Sequence, residues 1–186
     1  MRVFKIAILV TVLSSRLFGQ NPVWVETKIN EILTLKLSPK HERSNSVNIK
    51  SYGGYVNSDY VGFQFYDTVY SKINTERRFQ IALTGFVNGR LSDTTLRNYT
   101  ASIIDTALGK TRGIMVKFKA INSSEQYKRI YYYVTIANDN YYWFFAYCQC
   151  DNENDIDSKS FFDSINFDKE KVKENSFALA SIYLTK

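Results

Sequence analysis

The chain is poor in the residue types from which many enzyme active sites are built. Its 186 residues include one histidine, His41, in the polar stretch after Pro39, where we expect a solvated surface residue. A Ser–His–Asp or Cys–His arrangement would have to use that side chain. The chain also contains no GxSxG motif and no glycine-rich phosphate loop. These absences argue against triad hydrolases and nucleotide-binding enzymes.

Glycine and proline are scarce as well, at 8 and 2 residues. This scarcity argues against collagen-like and disordered chains. The apolar run at residues 6–13 is too short to span a bilayer, which takes about 20 residues. In contrast, aromatic residues are abundant at 16%, with 14 Tyr and 13 Phe. The length and the hydrophobic content of 45% suit one globular domain with a sizeable core.

The N-terminus has the three-part layout of a secretory signal peptide. Arg2 and Lys5 provide a basic start, residues 6–13 form the apolar run, and a short polar segment follows. We therefore predict cleavage between Gly19 and Gln20, and a secreted or periplasmic location for the mature protein.

The predicted cleavage lowers the net charge of the mature chain. The whole chain carries a formal net charge of +6, and the removed segment contains Arg2, Lys5 and Arg16. The mature chain would keep 21 Lys and Arg against 18 Asp and Glu, a net charge of +3. So small an excess gives no support for nucleic-acid binding. No other apolar stretch is long enough for a transmembrane segment.

Hydrophobic periodicity predicts several strands and two helices. A period of two marks strands around Leu33–Leu37, Val61–Phe65 and Ile114–Phe118. A helical period marks 74–89, which Gly89 would close, and residues 92–108 fit a helix but favour a strand. The sequence therefore predicts an α+β fold, in which helices flank an antiparallel β-sheet.

This pattern extends over most of the chain. After the signal peptide at 1–19, we predict one domain over 20–168 and a C-terminal extension over 169–186. The acidic stretch before Phe161 suits a helix start, because carboxylates favour the positive end of a helix. Phe161, Phe162 and Ile165 would close the core.

The segment "YYYVTIANDNYYWFFAYCQC" at 131–150 predicts an aromatic hairpin that turns at 138–140. Asn and Asp tolerate the left-handed backbone of tight turns. Neither face of the two strands is polar, which favours central strands covered on both sides. The other interpretation is an exposed ledge of Tyr and Trp for a protein partner, a sugar or an apolar ligand.

Cys148 and Cys150 are separated by one residue. In an extended segment they point to the same face, with Cα atoms near the upper limit for a bridge. A reducible disulfide is one interpretation, and two small buried apolar side chains are the favoured one. A single CxC supplies too few ligands for a metal site, and we predict no metal and no cofactor.

Several of these features together resemble the PsbP-like superfamily, which includes the photosystem protein PsbP, Ran-binding Mog proteins and the lipoprotein DcrB. The resemblance covers 32–167. It includes the strand ending in "LSP", the mid-chain helix, "LGKTRG" before "IMVKFKA", the aromatic hairpin, and "FFDSINF" as Phe-x-x-Ser-Ile-x-Phe. It implies an antiparallel sheet with flanking helices that serves as a binding or assembly module. The family shares no catalytic residues to transfer to this chain.

The leading functional hypothesis is an exported, non-enzymatic binding or assembly module for an unknown protein or small ligand. Its candidate partner-binding residues are Tyr141, Trp143 and Tyr147 on the hairpin and Lys117 and Lys119 on a basic stripe. One alternative is a small secreted hydrolase that uses a carboxylate pair. Another is a periplasmic inhibitor or immunity-type protein. We predict no catalytic residues.

Overall fold

The structure of the protein is a computed structural model, and it describes residues 24–46, 49–66, 84–108, 111–122, 124–138, 140–151 and 156–172. The predicted signal peptide and the predicted start of the mid-chain helix lie outside these ranges. So does the C-terminal extension beyond residue 172. Within the described ranges, no helix is both long and apolar enough to cross a bilayer.

Most of the described residues belong to β-strands. The ten strands are β1 (Val25–Lys28), β2 (Leu33–Leu37), β3 (Glu42–Asn45), β4 (Ile49–Val56), β5 (Asp59–Tyr66), β6 (Tyr99–Leu108), β7 (Thr111–Ala120), β8 (Arg129–Ala137), β9 (Asn140–Cys148) and β10 (Asn166–Phe167). Helix α1 is described over 84–91. A short 3-10 helix follows at Thr94–Leu96, and helix α2 spans Ile156–Asp163.

The strands form two antiparallel sheets. The larger sheet has seven strands in the order β3-β4-β5-β9-β8-β7-β6, and the smaller one has the order β1-β2-β10. In the smaller sheet Leu33 pairs with Phe167, so the two ends of the domain meet there. The aromatic strands β8 and β9 are neighbours in the interior of the larger sheet.

The predicted α+β class is wrong, because the described chain is mainly β. Strands account for 56% of it and helices for 15%. The expectation of a single sheet flanked by helices misses the second sheet, whose pairing joins distant parts of the chain. Local periodicity reports whether a segment is extended, and it carries no information about such distant pairing.

One face of the larger sheet, here called the closed face, carries the main core. Phe63, Phe65, Tyr133, Tyr142 and Phe144 project from it and are buried. The smaller sheet covers this face with three alternating leucines, and α2 adds a fully buried phenylalanine: Leu33, Leu35, Leu37 and Phe161. The predicted alternation of β2 and the predicted core role of Phe161 are therefore confirmed.

The opposite face of the larger sheet, here called the open face, is covered only in part. Helix α1 lies on it through Phe86 and Val87, which pack with Ile114, Val116 and Val134. The remaining side chains of this face include half-buried rings of β5 and β9. Among the described residues, this uneven cover leaves a concave aromatic surface beside α1.

Two local predictions are revised or settled by the described residues. Helix α1 continues to residue 91, so Gly89 does not end it. Residues 92–98 form turns and a short 3-10 helix, and the favoured strand then runs through β6. Asn138 has a positive φ of 48° at the β8–β9 turn, as predicted for this hairpin.

Candidate functional site

The open face carries an aromatic groove with a volume of about 400 Å³. Nine of the described residues line it; seven of these have aromatic rings, and the other two are a glutamine and an arginine. The lining residues are Tyr55, Tyr60, Gln64, Arg90, Tyr127, Tyr132, Trp143, Phe145 and Tyr147. Its volume lies in the range of about 300–1,000 Å³ that is typical of small-molecule sites.

Strand register brings the rings of the aromatic groove together. Tyr60 of β5 pairs with Tyr55 of β4 on one side and with Tyr147 of β9 on the other. Phe145 of β9 pairs in turn with Tyr132 of β8. Side chains at directly paired positions project from the same face of a sheet. Four adjacent strands thus supply one continuous aromatic surface.

Two glycines form the floor under part of this surface. Gly53 and Gly62 are a cross-strand pair on β4 and β5, and Gly62 also pairs with Phe145. A Cβ atom at Gly62 would lie 2.8 Å from Cζ of Phe145, and one at Gly53 would lie 2.9 Å from Cζ of Tyr60. The rings of Tyr60 and Phe145 therefore lean across the sheet into the space that a side chain at Gly53 or Gly62 would occupy.

The tyrosine hydroxyls supply polar groups at the ends of the rings. The hydroxyls of Tyr132 and Tyr147 share a hydrogen bond of 2.7 Å. Burial, more than this bond, raises the pKa of Tyr132. Burial and then the adjacent Tyr55 hydroxyl raise the pKa of Tyr127 to about 12. Burial raises the pKa of Tyr60 as well, so these phenols are protonated at neutral pH and can both donate and accept.

Arg90 supplies the formal charge of the groove lining, and that charge is engaged. Its guanidinium lies 5.1 Å from the ring centroid of Tyr132 and 5.6 Å from that of Phe86. These are cation–π distances. Its Nη1 atom is 3.5 Å from Oδ2 of Asp93. Arg90 therefore holds α1 to the sheet and adds little uncompensated positive charge to the groove.

Trp143 contributes an indole ring at the α1 side of the groove. Its ring centroid is 4.3 Å from that of Phe86 and 5.1 Å from that of Tyr66. Its Nε1 atom is buried and has no hydrogen-bond acceptor among the described residues. Buried polar groups are usually hydrogen-bonded, so this donor is an exception among the described residues.

The structure separates the five predicted partner-binding residues. Trp143 and Tyr147 line the aromatic groove, and Tyr141 lies on the same face of β9 without lining it. Lys117 and Lys119 project from the opposite face of β7, because Lys117 pairs with a residue of the closed face, Tyr131. The hairpin tyrosines and the lysine stripe therefore form no common surface.

Most of the residues that line the groove were not among the candidates predicted from the sequence. Tyr55 and Tyr60 lie on the β4–β5 hairpin, which turns at Asn57 with a positive φ of 53°. The tyrosines on either side of "VNSD" are a signal that could have identified this cross-strand pair. Tyr127, Tyr132 and Arg90 reach the site through loop and register geometry, which the local sequence does not reveal.

A second, smaller concavity of about 160 Å³ lies at the end of β7 and β8. Its lining includes Lys119, Lys128, Arg129, Cys150 and Asp151. Lys128 Nζ lies 2.5 Å from Oδ1 of Asp151, and Arg129 donates a hydrogen bond of 3.1 Å to the carbonyl oxygen of Asp151. The Asp151 carboxylate thus pairs with Lys128, one of the three basic residues of this lining.

The two cysteines are joined in the structure. Cys148 ends β9 and forms a disulfide with Cys150, with the Cα atoms 5.2 Å apart. This pairing corresponds to the disulfide interpretation of the sequence. Within the described ranges, no three residues among His, Cys, Asp and Glu gather into a cluster that could bind a metal ion.

No model of a protein family matches the chain, and no curated protein matches it. The resemblance to the PsbP-like superfamily stays a prediction.

Proposed function

We propose that this protein is an exported, non-enzymatic binding module and that the aromatic groove is its ligand-binding surface. The observation that carries the proposal is the concentration of seven rings around one open concavity of about 400 Å³. Large rings that remain half-buried on a surface are typical of interaction sites.

The chemistry of the lining supports binding rather than catalysis. The nine lining residues offer ring faces, phenol hydroxyls, one amide and one guanidinium. Stacking and hydrogen bonding are the interactions that these groups provide. The alternative of a hydrolase requires two carboxyl groups that converge on a bound substrate. Among the residues that the structure describes, the nine that line the groove include neither Asp nor Glu.

Tryptophan fluorescence offers a direct test. The chain has two tryptophans, and Trp24 packs against the closed-face core. A Trp24→Phe variant makes Trp143 the single reporter inside the groove. Titration with a library of small molecules and short oligomers should change Trp143 emission saturably for at least one compound class.

Tyr55→Ala is the informative variant for this test, because Tyr55 is 59% exposed and its removal should leave the fold intact. Ile121→Ala is its matched control, since Ile121 is 63% exposed and lines the second concavity. We expect ligand binding to weaken in Tyr55→Ala and to be unchanged in Ile121→Ala. Equal affinities in both variants would show that the ligand binds elsewhere.

The proposed export has its own test. N-terminal sequencing of the protein recovered outside the cytoplasm of its native cell should begin at Gln20. A chain that retains residues 1–19 and stays in the cytoplasm would contradict this part of the proposal.

A further inference from the structure

The aromatic groove contains two nearly parallel rings, those of Tyr60 and Phe145, which are here called the platform. The planes of Tyr60 and Phe145 are only 22° apart, and their centroids are 5.9 Å apart. Both rings lean over the Gly53–Gly62 pair, where no side chain can lift them off the sheet. Two nearly parallel rings that lean across a sheet line the groove with apolar ring surface, which suits a ligand with a flat apolar face.

Polar groups surround this platform. Tyr147 lies beside Tyr60 and shares its hydroxyl hydrogen bond with Tyr132. Gln64 lies beside Trp143 on the same face and contributes a side-chain amide. A purely apolar ligand would cover this amide without giving it a hydrogen-bond partner, which is unfavourable. The platform and its surroundings therefore match a ligand that is apolar on its face and hydroxylated at its edge.

The charges of the groove indicate that this ligand is neutral. Arg90 is compensated by Asp93 and by two ring faces. The other lining residues that the structure describes are aromatic residues and Gln64. An anion would find one engaged guanidinium, and a cation would find no carboxylate among these residues.

We propose that the aromatic groove binds a neutral carbohydrate, with one pyranose ring stacked on the Tyr60–Phe145 platform. The inference rests on the proposed function and specifies its ligand class. A pyranose ring combines an apolar C–H face with hydroxyl groups at its edge. The phenols of Tyr132 and Tyr147 and the amide of Gln64 are the polar groups of the lining that can bind those hydroxyls.

The test measures binding of neutral tetrasaccharides of glucose, mannose, galactose, xylose and N-acetylglucosamine to the purified protein. Tetragalacturonate serves as the acidic comparison, and N-phenyl-1-naphthylamine as a neutral apolar probe without hydroxyl groups. We expect at least one neutral tetrasaccharide to bind more tightly than either comparison compound, by about tenfold or more.

Gly53→Ala is the sharpest variant, because the three atoms nearest to the added Cβ all belong to the Tyr60 ring and its hydroxyl. It should tilt one ring of the platform, leave the backbone in place, and weaken tetrasaccharide binding by about tenfold. Gly89→Ala is the matched control, since a Cβ at Gly89 meets nothing within 4 Å. It should leave binding unchanged.

Three results would overturn the inference in distinguishable ways. Tight binding of N-phenyl-1-naphthylamine alone, weakened by Tyr55→Ala, would reject a carbohydrate ligand and keep the groove as a binding site. Tighter binding of tetragalacturonate would reject a neutral ligand. Binding of none of the compounds by the folded protein would count against the inference and the proposed function together.

Discussion

The two faces of strand β9 have nearly the same composition and different surroundings. Tyr142 and Phe144 point to the closed face and are completely buried, whereas Trp143 and Phe145 point to the open face and are half-buried. The smaller sheet and α2 cover the first pair, whereas the described residues of α1 cover only part of the second. In this protein, packing by elements that are distant in the sequence, rather than side-chain type, determines which face of β9 is core and which face carries the candidate site.

The largest expected effect compares Phe144 with Phe145, its neighbour on β9. Phe144→Ala should lower the free energy of unfolding by about 3–5 kcal/mol, because it removes a fully buried ring that packs near Phe63 and Tyr133. Phe145→Ala should lower the free energy of unfolding by only about 1–2 kcal/mol, because the half-buried ring has less buried apolar area to lose. Urea unfolding followed by circular dichroism measures both values.

Equal losses for the two variants would contradict the distinction between the faces. The open face would then be packed as tightly as the core, and its rings would have a structural role. A loss of ligand binding in Phe145→Ala, with most of the stability kept, would sharpen the distinction.

A smaller difference is expected between the paired glycines Gly62 and Gly53. A Cβ at Gly62 would lie 2.8 Å from the backbone Cα of Gly53 and would also approach the carbonyl oxygen of Tyr52. Gly62→Ala should therefore destabilise the protein by about 1–3 kcal/mol. At Gly53 the added Cβ would meet the movable end of the Tyr60 ring, so Gly53→Ala should change stability by about 0.5 kcal/mol or less.

Thermal unfolding of the two glycine variants tests this difference, and Gly89→Ala provides the reference for an unobstructed site. A severe loss in Gly53→Ala would mean that the Tyr60 ring cannot move. The platform would then be a rigid part of the fold.

The alternation within β9 was predictable from sequence, and the covering of its faces was not. The sequence correctly places Trp143, Phe145 and Tyr147 on one face and Phe144 on the other. Both faces are apolar, so the pattern cannot indicate which one the rest of the chain covers. That outcome depends on Leu33 pairing with Phe167, a contact between the two ends of the domain.

The fold class and the full groove were unpredictable for the same reason. Local periodicity identified strands such as β2, β5 and β7, and it gave no information about a second sheet. Tyr60 reaches Tyr147, and Arg90 reaches Tyr132, across long sequence separations. Such long-range contacts follow from the complete topology and not from any window of sequence.

The smallest expected effect is a pH dependence that arises on the open face. Burial and the adjacent Tyr55 hydroxyl raise the pKa of Tyr127 to about 12 in the folded protein, above the ordinary value of about 10 for tyrosine in an unfolded chain. Between these values the unfolded chain loses the phenol proton and the folded protein keeps it. The stability contributed by Tyr127 is therefore complete below about pH 10 and declines as the pH rises toward about 12.

Tyr127→Phe removes this titration and keeps the ring. Urea unfolding at pH 7, 9, 10 and 11 should show a shallower alkaline loss of stability in the variant than in the parent protein. The effect should be modest, because Tyr127 is only half-buried and water weakens the interactions that shift its pKa. Identical alkaline slopes in the two proteins would mean that the Tyr127 phenol is as solvated in the folded protein as in the unfolded chain. The wall of the groove that Tyr127 forms would then be open to water.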